Sequence, residues 1–180
     1  MNDHFGILAG HVETVHSFTN DQNLIDNYHK ADRRGRSAVL NMVITETGAA
    51  KAVAKALPEL LGKLTGNSIR VPTPNVSMAI LSLTLEKAAS KEEINEFLRQ
   101  VSLHSNLQDQ IDYTNSTEVV SSDFIGSRSA GVFDAQATIV NGNRANLYVW
   151  YDNEMGYSCQ VMRIAEQVSG THYLHLPIEG

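Results

Sequence analysis

Segments with the pattern of β-strands follow one another along this chain, with only three helical patterns among them. Apolar and polar residues alternate over residues 11–18, a strand that ends near His16. A tight turn at Asn141, Gly142 and Asn143 predicts a hairpin between the last two strands. We therefore predict an α+β fold: a mixed, mostly antiparallel sheet with about three helices packed on one face. The other predicted strands cover residues 41–45, 69–71, 76–85, 119–124, 131–140 and 144–151.

The three helices are marked by their first residues. Thr47 and Gly48 precede an apolar periodic segment in which Pro58 should kink or shorten the helix. Ser90 and Glu93 have the spacing of a capping box before the second helix. A third helix is predicted to follow Asn153 or Glu154 and to end near residue 168. We therefore predict one domain over residues 1–168, followed by a C-terminal tail over residues 169–180.

Composition excludes several classes of protein. The formal charge is −6, and the one dense basic stretch is Arg33, Arg34 and Arg36, which argues against a nucleic-acid partner. No apolar run reaches the roughly 18 residues that a membrane span needs. A single cysteine, Cys159, allows no internal disulfide, and MNDHFG does not resemble a secretory signal. We expect a cytoplasmic protein whose chain begins as if cut from a longer one.

The histidines and the single cysteine each allow a structural and a functional interpretation. The seven histidines show neither HExxH nor a Cys/His cluster, so no metal site is predicted. His16 on a strand face is by default a packed side chain rather than a catalyst. Cys159 near a helix start could be activated, but a small buried apolar residue is the favoured interpretation, and we do not propose it as the nucleophile.

Two features are suited to phosphate. The N-terminus of the helix after Thr47 and Gly48 offers backbone N–H groups, and Arg70 at a strand end offers a planar fork of donors. A simple helix cap and a structural ion pair explain the same residues equally well. No glycine-rich dinucleotide-binding loop occurs in the chain, so a nucleotide would bind mainly elsewhere.

Five strings, taken together and in order, resemble one family. They are NDHFGILAGHVETVHSFT, TGAAKAVAKALPELLGKLTG, RVPTPNVS, VVSSDF and WYDNEMGYS, and they span residues 2–167. In this order they are similar to the C-terminal, catalytic domain of glyceraldehyde-3-phosphate dehydrogenases. The family's SCTTN motif, which carries the nucleophilic cysteine, is absent from the sequence. The resemblance implies an N-terminal NAD(P)-binding half outside this chain.

The resemblance implies roles for individual residues. His16 would be the base that activates the thiol, and Thr19, Thr47, Gly48 and Arg70 would bind the phosphate groups of glyceraldehyde 3-phosphate and of inorganic phosphate. The cofactor, NAD or NADP, would contact this half through its nicotinamide: Asn153 would hold the carboxamide, and Glu154 and Tyr157 would shape the pocket. A homotetramer formed largely through the sheet of this domain is also implied.

The polar segment over residues 21–36 is similar to the family's S-shaped loop, which lies at a subunit interface. Its arginines would then be interface residues. DNYHKADRRGR departs from the commonest glycolytic pattern, with Asp21 where many members have a phosphate-binding threonine and Tyr28 near a proline associated with strict NAD use. The choice between NAD and NADP therefore stays open.

Three functions compete. The first is the catalytic domain of a phosphorylating glyceraldehyde-3-phosphate dehydrogenase, inactive in isolation. The second is the same domain of an erythrose-4-phosphate dehydrogenase, which TNDQNLIDNYH also resembles. The third is a non-catalytic phosphate-binding or assembly module, against which the joint presence of His16, Arg70 and Asn153 counts. TGAAKAV and RVPTPNVS favour the first.

Overall fold

The computed structural model describes residues 1–31 and 33–171. Eight strands form one sheet in the order β2-β3-β1-β4-β8-β6-β5, with β7 pairing β8 beside β6. The pairs β1–β3 and β5–β6 are parallel, and the other pairs are antiparallel. The strands are β1 Ile7–Ser17, β2 Val43–Glu46, β3 Leu64–Val71, β4 Ser77–Leu85, β5 Ile111–Thr114, β6 Gly131–Asp134, β7 Ile139–Asn141 and β8 Arg144–Tyr151.

Four α-helices accompany the sheet: α1 Asn2–Phe5, α2 Ala49–Ala56, α3 Lys91–His104 and α4 Met155–Ser169. Short 3₁₀ turns cover Pro58–Leu60 and Ser121–Phe124. The predicted α+β class, with three helices longer than one turn, is confirmed. Among the described residues no helix is long and apolar enough to cross a membrane. Most of the predicted C-terminal tail, residues 172–180, lies outside the described residues.

The core lies between the sheet and the helices α2 and α3. Ile94 and Leu98 of α3 pack with Leu83 and Leu147 of the central strands, and Val53 of α2 joins the edge of the same cluster. The predicted capping box of α3 is present: Glu93 N donates to Ser90 Oγ at 3.1 Å, and Ser90 N donates to Glu93 Oε2 at 2.7 Å. Helix α4 buries only Gly156 and continues away from this core.

Two predicted strands differ from the structure, and one strand of the structure was not predicted. Residues 119–124 form no strand, because Asp123 Oδ2 accepts the N–H of Val120 at 2.8 Å and closes a 3₁₀ turn. The strand predicted over residues 131–140 is two strands, interrupted where Asp134 Oδ1 accepts the N–H of Ala137 at 3.1 Å. Strand β5 was not predicted from the sequence.

Residues 18–42 contain neither helix nor strand in the part of this segment that the structure describes. The segment is nevertheless tied together by its own hydrogen bonds. Ser37 Oγ donates to Leu24 O at 2.6 Å, Ser37 N donates to Asp26 Oδ1 at 2.7 Å, and Ala38 N donates to Asn23 O at 2.8 Å. The ordered loop predicted over residues 21–36 is thus present, and we call residues 18–42 the long loop.

Candidate functional site

His16 lies at the end of β1, on the face of the sheet that carries the helices. The parallel register pairs His16 with Arg70 of β3, so that the two side chains project side by side. Arg70 Nη1 lies 2.7 Å from His16 Nδ1 and donates to Ser17 O at 3.1 Å. The ring of Tyr151 meets the imidazole edge to face, with 6.1 Å between ring centroids. The sequence-predicted base and arginine therefore share one strand end.

The tautomer of His16 follows from which neighbour Nδ1 binds. Nδ1 lies 2.7 Å from Ser17 O, which can only accept a hydrogen bond, and equally close to Arg70 Nη1, which can only donate. Donation to Ser17 O protonates Nδ1 and leaves a lone pair on Nε2. Donation from Arg70 moves the proton to Nε2. An anion that draws Arg70 away would therefore favour the form in which Nε2 is a base.

Burial lowers the pKa of His16, and the positive charge of Arg70 acts in the same direction. The hydrogen bond with Ser17 O and the negative charge of Asp21 oppose the change without reversing it. The imidazole is accordingly neutral at pH 7. A neutral imidazole is able to accept a proton, which is what a general base requires.

Asp21 holds two parts of the long loop together, and its charge acts on His16 at this strand end. Its carboxylate accepts hydrogen bonds from Thr19 Oγ1 and from Arg34 Nη1. The bond from Thr19 is the largest cause of a lowered Asp21 pKa, which burial partly opposes and Arg34 supports. One anionic group is thus held by a hydroxyl and a guanidinium that come from opposite ends of the loop.

Arg34 is close enough to Arg70 for its charge to act on that guanidinium. Burial is the main cause of the lowered pKa of Arg70, followed by the charge of Arg34, while Asp21 opposes both. Within the described chain, the buried Nε of Arg70 has no hydrogen-bond partner. Two guanidinium groups, one with an unused donor, and the hydroxyl of Thr19 therefore surround a position suited to a phosphate group.

Thr47 and Gly48 lie farther along the same face. Gly48 is the N-cap residue of α2, and Thr47 Oγ1 accepts the N–H of Ala49 at 3.2 Å. The register pairs Val43 with Arg70, and Thr47 lies four residues beyond Val43, so about 13 Å of strand separates Thr47 from Arg70. These residues would form a second anion site rather than one site with Arg70.

Asn153 lies two residues after the end of β8, and the oxygen of its carboxamide accepts two hydrogen bonds. Ser17 Oγ donates to Asn153 Oδ1 at 3.0 Å and Ser77 Oγ donates to the same atom at 3.2 Å. Among the residues described, Nδ2 donates to no acceptor, which leaves this end of the amide available to a ligand carbonyl. This orientation fits the carboxamide of a nicotinamide ring.

The other predicted pocket residues are not brought into this cluster. The side chains of Glu154 and Tyr157 are exposed on the first turn of α4. Cys159 is half-buried and lines a groove with Asp112, Arg128 and Arg163, away from the groups that contact His16. The structure therefore places Cys159 outside the His16 cluster. No cluster of possible metal ligands occurs in the described ranges.

The profile described as "Glyceraldehyde 3-phosphate dehydrogenase, C-terminal domain" matches residues 1–153. The chain belongs to this family. It is 72% identical over 172 residues to a "Glyceraldehyde-3-phosphate dehydrogenase-like protein" of Pseudomonas aeruginosa, covering 96% of the chain and 37% of that protein. Identity is 46% to "Glyceraldehyde-3-phosphate dehydrogenase 2" of Trichormus variabilis and 43% to the enzyme of Priestia megaterium, in both cases over 94% of the chain.

The chain spans half or less of the length of these curated relatives, 50% of the two dehydrogenases and 37% of the Pseudomonas protein. The family match therefore identifies the chain as the C-terminal domain, in agreement with the resemblance found in the sequence. The matched residues include His16, Arg70 and Asn153.

Sequence reasoning missed three residues of the site. Arg34 was assigned to an interface, although the structure pairs it with Asp21 beside Arg70. Ser17 and Ser77 were not considered, although both hold Asn153. The signal for Ser17 and Ser77 was available in part, because a buried serine at a strand end needs a hydrogen-bond partner. Nothing in the sequence indicated that Arg34 folds back onto β3.

Proposed function

We propose that this chain is the substrate-binding and catalytic half of an NAD(P)-dependent, phosphorylating dehydrogenase that acts on glyceraldehyde 3-phosphate. In this reaction a cysteine thiolate of the N-terminal half adds to the aldehyde carbon, and a hydride leaves that carbon to give a thioester. Inorganic phosphate then displaces the thiolate and forms 1,3-bisphosphoglycerate. The nicotinamide ring supplies the acceptor for the hydride.

The convergence of donors on Asp21 carries this proposal. Thr19 and Arg34 bind its carboxylate, and Arg70 lies within range of both charges. A phosphate group of the substrate would accept the hydrogen bonds of these donors in place of the Asp21 carboxylate. The phosphate group carries more negative charge than the carboxylate and would therefore bind the donors more strongly. Arg70 would then release His16 Nδ1, and Ser17 O would hold the tautomer with a free lone pair on Nε2.

The remaining residues would act on the same substrate. His16 Nε2 would take the proton of the attacking thiol, return it to the aldehyde oxygen as the hemithioacetal forms, and take that hydroxyl proton again as the hydride leaves. Thr47 and the N-terminus of α2 would hold the attacking inorganic phosphate. Asn153 Nδ2 would donate to the nicotinamide carboxamide and so fix which face of the ring is presented.

The test joins the chain, in one polypeptide, to a nucleotide-binding N-terminal half that carries the nucleophilic cysteine. We expect oxidation of glyceraldehyde 3-phosphate that requires inorganic phosphate, with lower kcat/KM for erythrose 4-phosphate. His16→Asn should lower kcat by about 10²- to 10⁴-fold. His104→Asn, which changes an exposed histidine of α3, should leave it unchanged.

The 180-residue chain alone should show no turnover, since its one cysteine lies outside the His16 cluster. Turnover by the chain alone would contradict the proposal. A preference for erythrose 4-phosphate in the joined protein would instead assign the alternative substrate.

A further inference from the structure

Asp152 is a buried carboxylate that the proposed reaction does not use. It is 2% exposed and accepts four hydrogen bonds. Oδ1 binds the N–H groups of Glu154 at 2.9 Å and Met155 at 2.8 Å. Oδ2 binds Gly126 N at 2.9 Å and Asn75 Nδ2 at 3.0 Å. Two bonds to each oxygen use the acceptor capacity of an ionised carboxylate.

The charge of Asp152 is stabilised by these bonds. Burial by itself would raise the pKa of this carboxyl, but the donors from Gly126, Met155, Glu154 and Asn75 more than offset it, and the pKa is lowered. The bonds come from three separate parts of the chain: the turn before β4, Gly126 two residues after the 3₁₀ turn at Ser121–Phe124, and the start of α4. Asp152 therefore connects three segments next to Asn153, its neighbour in the chain.

The connection to β4 passes through a strained residue. Val76, between Asn75 and Ser77, has a φ of +66°, a conformation that is unfavourable for a β-branched side chain. Its N–H donates to Asn75 Oδ1 at 2.7 Å, and its side chain is buried against Phe124 and Val132. Strain of this kind persists only where the surroundings enforce it. The bond from Asn75 to Asp152 is one of the contacts that do so.

Two parallel cross-links result. Asn75 is bound to Asp152, and Ser77 is bound to Asn153, so each link joins the start of β4 to the end of β8. We propose that Asp152 is a positioning residue that orients the carboxamide of Asn153, with Oδ1 toward Ser17 and Ser77 and Nδ2 toward the nicotinamide. This inference rests on the proposed function for the identity of the ligand.

The isosteric change Asp152→Asn tests the orientation directly. An amide has one acceptor oxygen, so its NH₂ group must face one of the two pairs of donors that the carboxylate now binds. Either the start of α4 or the pair Gly126 and Asn75 loses its partner. We expect a crystal structure of the variant to show Asn153 Oδ1 beyond hydrogen-bond distance of Ser17 Oγ or Ser77 Oγ. Both bonds unchanged would overturn the proposal.

Kinetics of the joined protein separate positioning from general stability. Asp152→Asn should lower kcat/KM for NAD(P) by about 100-fold, the size of effect expected when a binding group is misplaced by about 1 Å. KM for the phosphorylated substrate should change less than about twofold, because Thr19, Arg34 and Arg70 keep their contacts. Asp134→Asn, a change in another buried carboxylate, is the matched control and should leave the cofactor parameters unchanged.

A double-mutant cycle with Asn153→Ala decides whether Asp152 acts through Asn153. The double variant should be no slower than the slower single variant, since an orientation already lost cannot be lost again. Multiplied effects, or equal losses toward cofactor and phosphorylated substrate, would mean that Asp152 only supports the fold.

A second variant and the activity of the joined protein distinguish failure of this inference from failure of the proposed function. If Asp152→Asn does not fold, Asn75→Ala removes one of the four bonds and should lower kcat/KM for NAD(P) by about 3- to 10-fold. No effect of Asn75→Ala on the cofactor or on the Asn153 contacts would overturn the inference. If the joined protein oxidises no aldehyde phosphate, the proposed function fails, and the crystal structures alone decide the role of Asp152.

Discussion

At the scale of single residues, His16 is the group whose charge depends most directly on its surroundings. The imidazole lies between Arg70 and Ser17 O at a half-buried strand end, and its pKa is lowered chiefly by burial. The neutral form is the one that both the fold and a general base require. Stability and function therefore favour the same protonation state.

This coupling predicts a dependence of stability on pH. The pKa of His16 is lower in the folded chain than its ordinary value of about 6.5 in the unfolded chain. Below pH 6.5 the unfolded state therefore binds more protons, and the free energy of unfolding should fall as the pH falls. His16→Asn removes this contribution and should flatten the decrease between pH 7 and pH 5.

Urea unfolding at several pH values measures the effect as the difference between the chain and its His16→Asn variant. His104→Asn, at an exposed position, is the control and should keep the slope of the unchanged chain. Equal slopes for the chain and the His16→Asn variant would show that protonation of His16 is not coupled to folding.

The residue scale also shows what the sequence was able to predict. His16, Thr19 and Arg70 were named from their motifs, and the structure gathers them around Asp21; their roles stay predictions. Arg34 could not be placed, because its position depends on how the long loop closes over 13 residues to bring it back to Asp21. Contacts of that length are decided by tertiary packing and leave no local pattern.

At the scale of elements, the position of α2 against the sheet depends on Gly66. A Cβ atom added there would lie 2.9 Å from Val12 O and 3.2 Å from Thr47 Cγ2. The first is a backbone atom of a central strand, so it cannot move aside cheaply. The absence of a side chain at Gly66 thus allows the start of α2, with Thr47 and Gly48, to lie against β1 and β3.

Gly66→Ala should therefore destabilise the chain by about 1–3 kcal/mol, the usual cost of overpacking. It should also raise the exchange rate of the Ala52 amide, which donates to Gly48 O at 2.9 Å in the first turn of α2. Ser68→Ala is a matched control on the same strand: its buried hydroxyl has no partner among the described residues, and its loss should not destabilise. Equal stabilities for the two variants would mean that α2 adjusts without cost.

The elements that the sequence predicted best are those with long periodic patterns or a complete cap, such as β4, β8 and α3. Strand β5 has four residues and pairs only with β6, so its own pattern is too short to be distinctive. Residues 119–124 combine valines with serines and an aspartate, and the side chain of Asp123 bound the backbone in place of a neighbouring strand. Apolar composition alone does not distinguish a short strand from a 3₁₀ turn in these two segments.

At the scale of the whole molecule, much apolar surface is left uncovered. The long loop is held by internal polar contacts but turns large apolar side chains outward, and α4 does the same along its length. Exposed patches of this kind mark interaction surfaces. The exposed members in the long loop are Leu24, Ile25, Tyr28, Val39, Leu40 and Met42.

We expect the long loop to contact a second copy of the chain, as its similarity to the family's S-shaped loop implies. Ile25 and Leu40 are 76% and 81% exposed, so replacing both by Asp would cost little in the monomer but would place charges in a subunit contact. The double variant should sediment as a smaller species than the unchanged protein while keeping its far-ultraviolet circular dichroism. Leu61→Asp, at a position 77% exposed after the 3₁₀ turn that follows α2, is the matched control.

Sedimentation velocity over a range of concentrations distinguishes the possible results. A monomeric unchanged chain at about 100 µM would exclude a stable contact, because that concentration detects any dissociation constant tighter than roughly the same value. An oligomer that both the loop variant and Leu61→Asp leave intact would place the contact elsewhere, with the exposed apolar side chains of α4 as one remaining surface. Loss of the oligomer in the loop variant alone would assign the interface to the segment that also carries Asp21 and Arg34, and subunit contact would then bear directly on the phosphate site.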